Sequence, residues 1–269
     1  MSFSALPKIG MGTFRLKGND ARDAVKSALS LGYRHIDTAQ MYENEAEVGD
    51  GIVSSGIPRR DIFLTTKVWH DRLHASDLIN SLHDSLSRLK TDHVDLALIH
   101  WPSPDDEVPM AEYLGALRDA QREGLAEHIG ISNFTCAQMD QARDILGDGA
   151  IFTNQVEVHP FLNNQKVVAH ARELGIPVTG YMPLAVGKVM EDETLLRIGR
   201  EHNASAAQIA IAWVAAKGVV PIPSSTRPKH QKANLDALKI KLSAEEIQAI
   251  DALDRGERIA NPGFAPHWD

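Results

Sequence analysis

Four residues with complementary proton chemistry close successive apolar runs. They are Asp37 and Tyr42 in GYRHIDTAQMYENEAEVG (32–49), Lys67 in IFLTTKVW (62–69), and His100 in VDLALIHWP (94–102). A carbonyl that accepts hydride builds negative charge on its oxygen, which must be stabilised and then protonated. Tyr42 is a suitable acid, although a free phenol has a pKa of about 10. A Lys67 ammonium beside it would favour the phenolate and is expected to lower that value. Asp37 would pair with Lys67 and hold it, and His100 would donate to the carbonyl oxygen and orient the substrate. No metal is needed for this chemistry. Taken singly, each of these residues is commonly structural or solvated. Together, at three consecutive strand ends, they point to a carbonyl reductase.

The elements that must position them alternate along the whole chain. Strand-like runs fall at 33–37, 62–67, 94–99, 127–131, 152–156, 177–181 and 219–222, with a weaker one near 8–12. Helical patterns lie between them. Over 76–89, Leu78, Ile79, Leu82, Leu86 and Leu89 line one face behind a Ser76 cap. Ser205 with Gln208, and Ser243 with Glu246, read as capping boxes; Gly218 reads as a helix stop, and the last helix as running through Leu253. Eight strand–helix units imply an α/β (β/α)8 barrel with a parallel sheet inside and helices outside. The catalytic face of such a barrel is at the C-terminal ends of its strands. The chain, 1–269, reads as one domain without a linker. Two segments depart from the pattern: PLAVGKVMEDET after the seventh strand, and the tail 255–269, whose Phe264 and Trp268 are expected to pack across the mouth.

Composition narrows the partners. The 269 residues carry a formal charge of −8 and no Lys/Arg-rich run, which argues against nucleic acid. The one cysteine, Cys136, cannot form an intrachain disulfide, in keeping with a reducing compartment. MSFSALPKIG has neither a basic n-region nor an apolar h-region, and the longest apolar run, IAIAWVAA, is far shorter than the ~20 residues that span a bilayer. A cytoplasmic monomer that binds no membrane is expected.

The motifs carry a further signal. GYRHIDTAQMYENEAEVG, TTKVW, LIHWP, GISNF (130–134), NQVEVHP (154–160), GYMPLA (180–185) and IPSST (222–226) resemble, in order and over nearly the whole chain, the signatures of the aldo-keto reductase family. The resemblance is to the short bacterial members called 2,5-diketo-D-gluconate reductases, the B type in particular. It implies the (β/α)8 barrel, a nicotinamide dinucleotide (usually NADPH) and reduction of aldehydes or ketones. Position by position, it makes Asp37, Tyr42, Lys67 and His100 the catalytic tetrad, with Tyr42 the proton donor. It puts Gly12 and Thr13 in a turn beside the cofactor, with Asp37 nearby. Ser132, Asn133 and Gln155 would bond the nicotinamide carboxamide, Tyr181 would stack on its ring, and Leu184 would lie beside the pyrophosphate. From residues alone, Ser132–Asn133 also reads as a helix cap before FTCAQMDQA.

The adenosine-phosphate motif departs from the family. Ser224 stands where a lysine is usual and His230 where an arginine is usual, while Ser225, Thr226, Arg227 and Asn234 remain and Lys229 is near. Arg227 at a helix start suits a phosphate. NADPH is therefore the expected cofactor, with weaker use of NADH, and Arg227 the discriminating residue. Met182 replaces a common serine. Phe14, Trp69 and Trp101 beside the tetrad, with Tyr42, His100 and Trp268, would line an apolar substrate pocket open to small carbonyls, keto-sugar acids and α-dicarbonyls. Two other readings compete: a non-catalytic dinucleotide-binding barrel, and a metal-dependent barrel hydrolase or isomerase. The metal reading lacks an H-x-H or H-E-x-x-H pair.

Overall fold

In the computed structural model, which describes residues 5–269, the alternation in the sequence becomes a closed ring. In chain order the elements are β1 (Met11–Gly12), α1 (Gly18–Leu31), β2 (His35–Asp37), α2 (Glu45–Ser55), β3 (Phe63–Val68), α3 (Ala75–Leu89), β4 (Val94–Ile99), α4 (Met110–Arg122), β5 (Ala126–Ser132), α5 (Cys136–Leu146), β6 (Ile151–Glu157), α6 (Gln165–Glu173), β7 (Val178–Tyr181), α7 (Glu193–Glu201), α8 (Ala206–Ala216), β8 (Val219–Pro221), α9 (Pro228–Asp236) and α10 (Ala244–Asp251). Each strand pairs in parallel with the next in sequence order. The ring closes where Gly10 N–H donates to Pro221 O at 3.0 Å and Gly12 N–H to Pro223 O at 3.1 Å. A Cβ on Gly12 would stand 2.8 Å from the Ile222 carbonyl oxygen, so only glycine lets β1 approach this seam. This is the expected (β/α)8 barrel, with one additional helix in each of its last two units.

Two apolar layers result. The larger packs helices against the outside of the sheet, for example Leu78, Leu82, Leu86 and Leu89 of α3. The smaller is a separate cluster of Phe63, Leu96 and Leu98, with Leu6 and Phe152 against it. Side chains alternate along a strand. Two residues beyond Phe63 is Thr65 and two beyond that is Lys67; likewise Leu96 and Leu98 lead to His100. An apolar plug thus fills the lower barrel, and the same inward rows deliver the polar groups at the C-terminal ends.

Helix starts differ from the sequence reading in two places. Helix α3 begins at Ala75, and its N-cap is His74, not Ser76. The Ala75 N–H there is taken by Glu112 Oε1 at 3.2 Å, so a long-range carboxylate replaces the local serine. Helix α5 is capped by Thr135 in a capping box with Gln138, not by Ser132–Asn133. The boxes of Ser205–Gln208 and Ser243–Glu246 form as expected, although α10 ends at Asp251, with Leu253 beyond it. Gly218 follows the Lys217 C-cap with φ 75°, the left-handed conformation that ends the helix.

Candidate active site

Asp37 ends β2 and Lys67 is the last residue but one of β3. His100 follows β4, its N–H donating to Val68 O at 3.0 Å. Tyr42 lies off the strand, on a 3-10 turn over Gln40–Tyr42. That turn is held from several sides. Asn44, fully buried, donates to Thr13 O (2.8 Å) and Leu16 O (2.9 Å) and accepts from Thr38 Oγ1 (2.9 Å). Gln40 Oε1 accepts the Trp69 N–H at 3.1 Å. Glu45, buried at the start of α2, accepts from Thr66 Oγ1 at 2.6 Å and pairs with Arg88 at 2.7 Å. Sequence reasoning passed over Asn44 and Glu45, although both lie in the motif that contains Tyr42. Their only signal was polarity where the chain has to turn back onto the barrel.

The reactive groups meet. Lys67 Nζ, with no exposed surface, donates to Asp37 Oδ1 at 2.5 Å, Thr38 O at 2.9 Å and the Tyr42 hydroxyl at 3.2 Å. Asp37 Oδ2 accepts from Gln155 Nε2 at 2.8 Å. The Tyr42 and His100 rings are 5.6 Å apart, edge to face. A buried ion pair of this kind is costly unless every lone pair finds a donor, and here both Asp37 oxygens do.

The electrostatics correct one expectation. Burial pushes the Tyr42 phenol above its ordinary value; the Lys67 ammonium pulls it down, but burial and Asp37 prevail. Tyr42 therefore holds its proton at neutral pH, which is what an acid requires. Burial alone would lower the Lys67 ammonium, yet Asp37 and then Tyr42 raise it above the usual lysine value, so it stays charged. Burial, then Lys67 and His70, hold His100 well below the ordinary histidine value. His100 is neutral, and its Nδ1 is buried with no hydrogen-bond partner. A buried N–H with nothing to accept it is costly. The single ring proton therefore belongs on Nε2, available as a donor.

These groups open into a cavity of about 370 Å³. Gly12, Thr13, Phe14, Asp37, Tyr42, His100, Trp101, Asn133, Gln155, Tyr181 and Leu184 all line it, together with residues not anticipated, among them Arg15, Met41, Val186, Met190, Pro223 and Ala260. Met182 also lines it, at φ 51°. After Leu184 at φ −100°, Ala185 at φ 47° and Val186 at φ 54° are left-handed again, an uncommon conformation that is especially costly for a β-branched residue. The backbone is thus bent sharply immediately beyond Tyr181. The Tyr181 hydroxyl donates to Asn133 Oδ1 at 2.8 Å, and Asn133 Nδ2 donates to His100 O at 3.0 Å, so the ring is fixed to the strand end that carries His100. Ser132 is set back: buried, it donates to Gln155 O at 2.8 Å.

Other expected residues flank the cavity. Trp69 packs edge-on to His100 at 5.0 Å, outside the lining. Trp268 reaches it through Trp101, ring centroids 5.9 Å apart. Ser224 lines its far end, where Thr226 and Arg227 are exposed and Ser225 accepts the Arg227 N–H at 3.1 Å. Asn234 is buried and bonds Tyr33. The cavity suits an extended dinucleotide. Tyr181 borders it, and Gln155 spends Nε2 on Asp37 while its Oε1 has no protein donor among the described residues. The described residues contain no group of three or more His, Cys, Asp or Glu that could hold a metal ion, and no helix long and apolar enough to cross a membrane.

The chain is similar to known proteins in sequence and fold. The model of the aldo/keto reductase family matches residues 8–255. The chain is 50% identical over 266 residues to the methylglyoxal reductase DkgB of Escherichia coli O157:H7, covering 98% of this chain and all of that protein. It is 37% identical to a glyoxal reductase of Bacillus subtilis, covering 96% of this chain and 92% of that one. A crystal structure provisionally named a 2,5-diketo-D-gluconic acid reductase B superposes with a TM-score of 0.94 at 46% identity, covering 98% and 94% of the two chains. A Bombyx mori aldo-keto reductase in complex with NADP superposes with a TM-score of 0.88 at 32% identity, covering 95% and 92%. On sequence, fold and the geometry of its strand ends alike, the chain belongs to the aldo/keto reductase family.

Proposed function

We propose that this protein reduces small aldehydes and ketones with NADPH, acting on α-dicarbonyls of the methylglyoxal type and on keto-sugar acids such as 2,5-diketo-D-gluconate. The observation that carries the reading is the Tyr42 hydroxyl 3.2 Å from a buried, charged Lys67, in a cavity that His100 also lines. The named activities of the relatives, methylglyoxal and glyoxal reduction, support the substrate class.

The nicotinamide dinucleotide supplies the hydride when bound, and Gly12, Thr13, Asp37, Ser132, Asn133, Gln155, Tyr181 and Leu184 would hold its nicotinamide and pyrophosphate. Ser225, Thr226, Arg227 and Asn234 would hold its adenosine phosphate, with Arg227 setting the preference over NADH. His100 donates from Nε2 to the substrate oxygen and fixes the direction in which the carbonyl presents its carbon. As negative charge gathers on that oxygen, the Tyr42 O–H transfers its proton there. The phenolate left behind is stabilised by the Lys67 ammonium, which Asp37 holds within reach. Phe14, Trp101 and the flanking Trp69 and Trp268 exclude water and prefer a small, partly apolar substrate. The working unit is a monomer.

A panel of methylglyoxal, glyoxal, 2,5-diketo-D-gluconate and a non-carbonyl control, read by NADPH consumption with and without a chelator, tests this. Consumption with the carbonyls, unaffected by the chelator, is expected. NADPH left intact by every carbonyl would overturn the reading.

A further inference from the structure

Glu157 ends β6, and its carboxylate has no exposed surface. Its side-chain oxygens are spent on a distant part of the chain. Oε1 accepts the Ile259 N–H at 2.7 Å and lies 2.9 Å from His159 Nε2; Oε2 accepts the Ala260 N–H at 2.7 Å. The segment from 254 onward contains no helix or strand, so its N–H groups have no ladder of their own. A carboxylate is costly to bury unless it is well satisfied. Here the tail backbone supplies two of the donors that keep it buried.

At and beyond this anchor the tail packs at the mouth of the cavity. Ala260 lines it directly. Phe264 stands edge-on to Trp69 (5.7 Å) and Trp101 (5.5 Å). The tail has other ties on either side: Phe161 O accepts from the N–H groups of Arg255 (3.3 Å) and Glu257 (2.9 Å), Glu257 pairs with Lys188, and Asp269 Oδ2 accepts the Cys136 N–H at 3.0 Å. Glu157 is also paired in register with Tyr181 on β7, so the tail is fastened one strand away from that ring.

We propose that Glu157 is a positioning residue that pins residues 259–260 so that Ala260 and Phe264 form the outer wall of the substrate site. The proposal rests on the reading of this cavity as the carbonyl site. Glu157→Gln keeps the shape but puts an NH2 group opposite an N–H donor, so at least one of these bonds is lost. The tail then leaves the mouth, and weak, small substrates lose a binding surface while the proton chemistry at Tyr42 does not change.

Two measurements on the full-length protein test it. In steady-state assays with methylglyoxal, Glu157→Gln should raise KM roughly tenfold, the scale of one hydrogen bond to a charged group, with kcat within about a factor of two. In limited trypsin digestion without substrate, followed by mass spectrometry, the variant should release the C-terminal fragment after Arg258 several times faster than the wild type. Ala260→Pro removes one donor from the tail side and leaves β6 untouched. It should release the C-terminal fragment as fast as Glu157→Gln, and because Ala260 itself lines the cavity, this digestion alone decides the matter if Glu157→Gln fails to fold. A tail as resistant to trypsin as in the wild type would overturn the anchor, and so would a fall in kcat with KM unchanged. Because the digestion needs no turnover, a failure of the substrate reading would leave the anchor test intact.

Discussion

At the scale of single residues, the proposed mechanism depends on a phenol that keeps its proton beside an ammonium that keeps its charge. Tyr42→Phe should lower kcat by about 10²–10⁴-fold, the range for losing a positioned acid, and leave NADPH binding by calorimetry nearly unchanged. Near-normal turnover would show that another group donates the proton. The charge states also set the pH profile. His100 titrates well below the usual histidine range and Tyr42 above the usual tyrosine range. The rate of reduction should therefore be flat across neutral pH and fall only in alkali, as Tyr42 loses its proton. A step near pH 6.5, measured as log kcat/KM against pH, would mean that His100 is charged in the working enzyme. Arg227 is exposed and makes no ion pair among the described residues, as expected of a group waiting for a phosphate. Arg227→Ala should raise the KM for NADPH at least tenfold and leave the KM for NADH almost as it was; an unchanged ratio would remove Arg227 from that role. That Asp37, Tyr42, Lys67 and His100 come together was legible in the sequence because each ends or follows an apolar run. The direction of the Tyr42 shift was not, since it depends on burial, and a list of neighbouring charges contains no burial.

At the scale of elements, the strands were readable wherever they are long and flanked by helices. β3 to β7 agree with the sequence reading to within a residue at either end. The short β1 was the weakest reading, and it consists of only Met11–Gly12. It is a strand through its pairing with β2, and it also meets β8 at a seam that no local pattern announces. Gly12→Ala would force a Cβ to within 2.8 Å of a carbonyl oxygen. It should destabilise the protein by about 1–3 kcal/mol, the usual cost of overpacking, and weaken NADPH binding, since Gly12 lines the cavity as well. Chemical denaturation and calorimetry on the same variant would check both; wild-type stability would mean that the seam yields more easily than its geometry suggests. Local caps were legible for the same reason that long strands were. Ser205–Gln208 and Ser243–Glu246 carry their partners three residues on, whereas Glu112, which accepts the Ala75 N–H at the start of α3, comes from another element and could not be seen in the sequence.

At the scale of the whole molecule, buried polar groups link pH to stability. His35, at the start of β2, is buried, bonds Thr65 Oγ1 at 3.1 Å and has its pKa lowered by burial to about 4. The unfolded chain binds that proton near pH 6.5 and the folded one only near pH 4, so stability is complete above the first value and is lost as the pH falls towards the second. This residue alone accounts for a loss of roughly 3 kcal/mol across that window. In His35→Gln, urea unfolding at pH 7 and pH 4.5 should differ by correspondingly less than in the wild type. An undiminished difference would place the acid sensitivity elsewhere. Gln231, fully buried in α9, donates to Ala24 O at 2.9 Å and Ser225 O at 2.8 Å, and its Oε1 accepts from Ser27 Oγ at 2.7 Å. Gln231 and Ala24 are separated by 207 positions in the chain. On the ribosome, the first helix and strand therefore emerge long before the residues that complete them. The unpaired edge of β1 has to wait, exposed, for most of the synthesis, which makes it a hazard for wrong pairing and a natural stretch for a chaperone to cover.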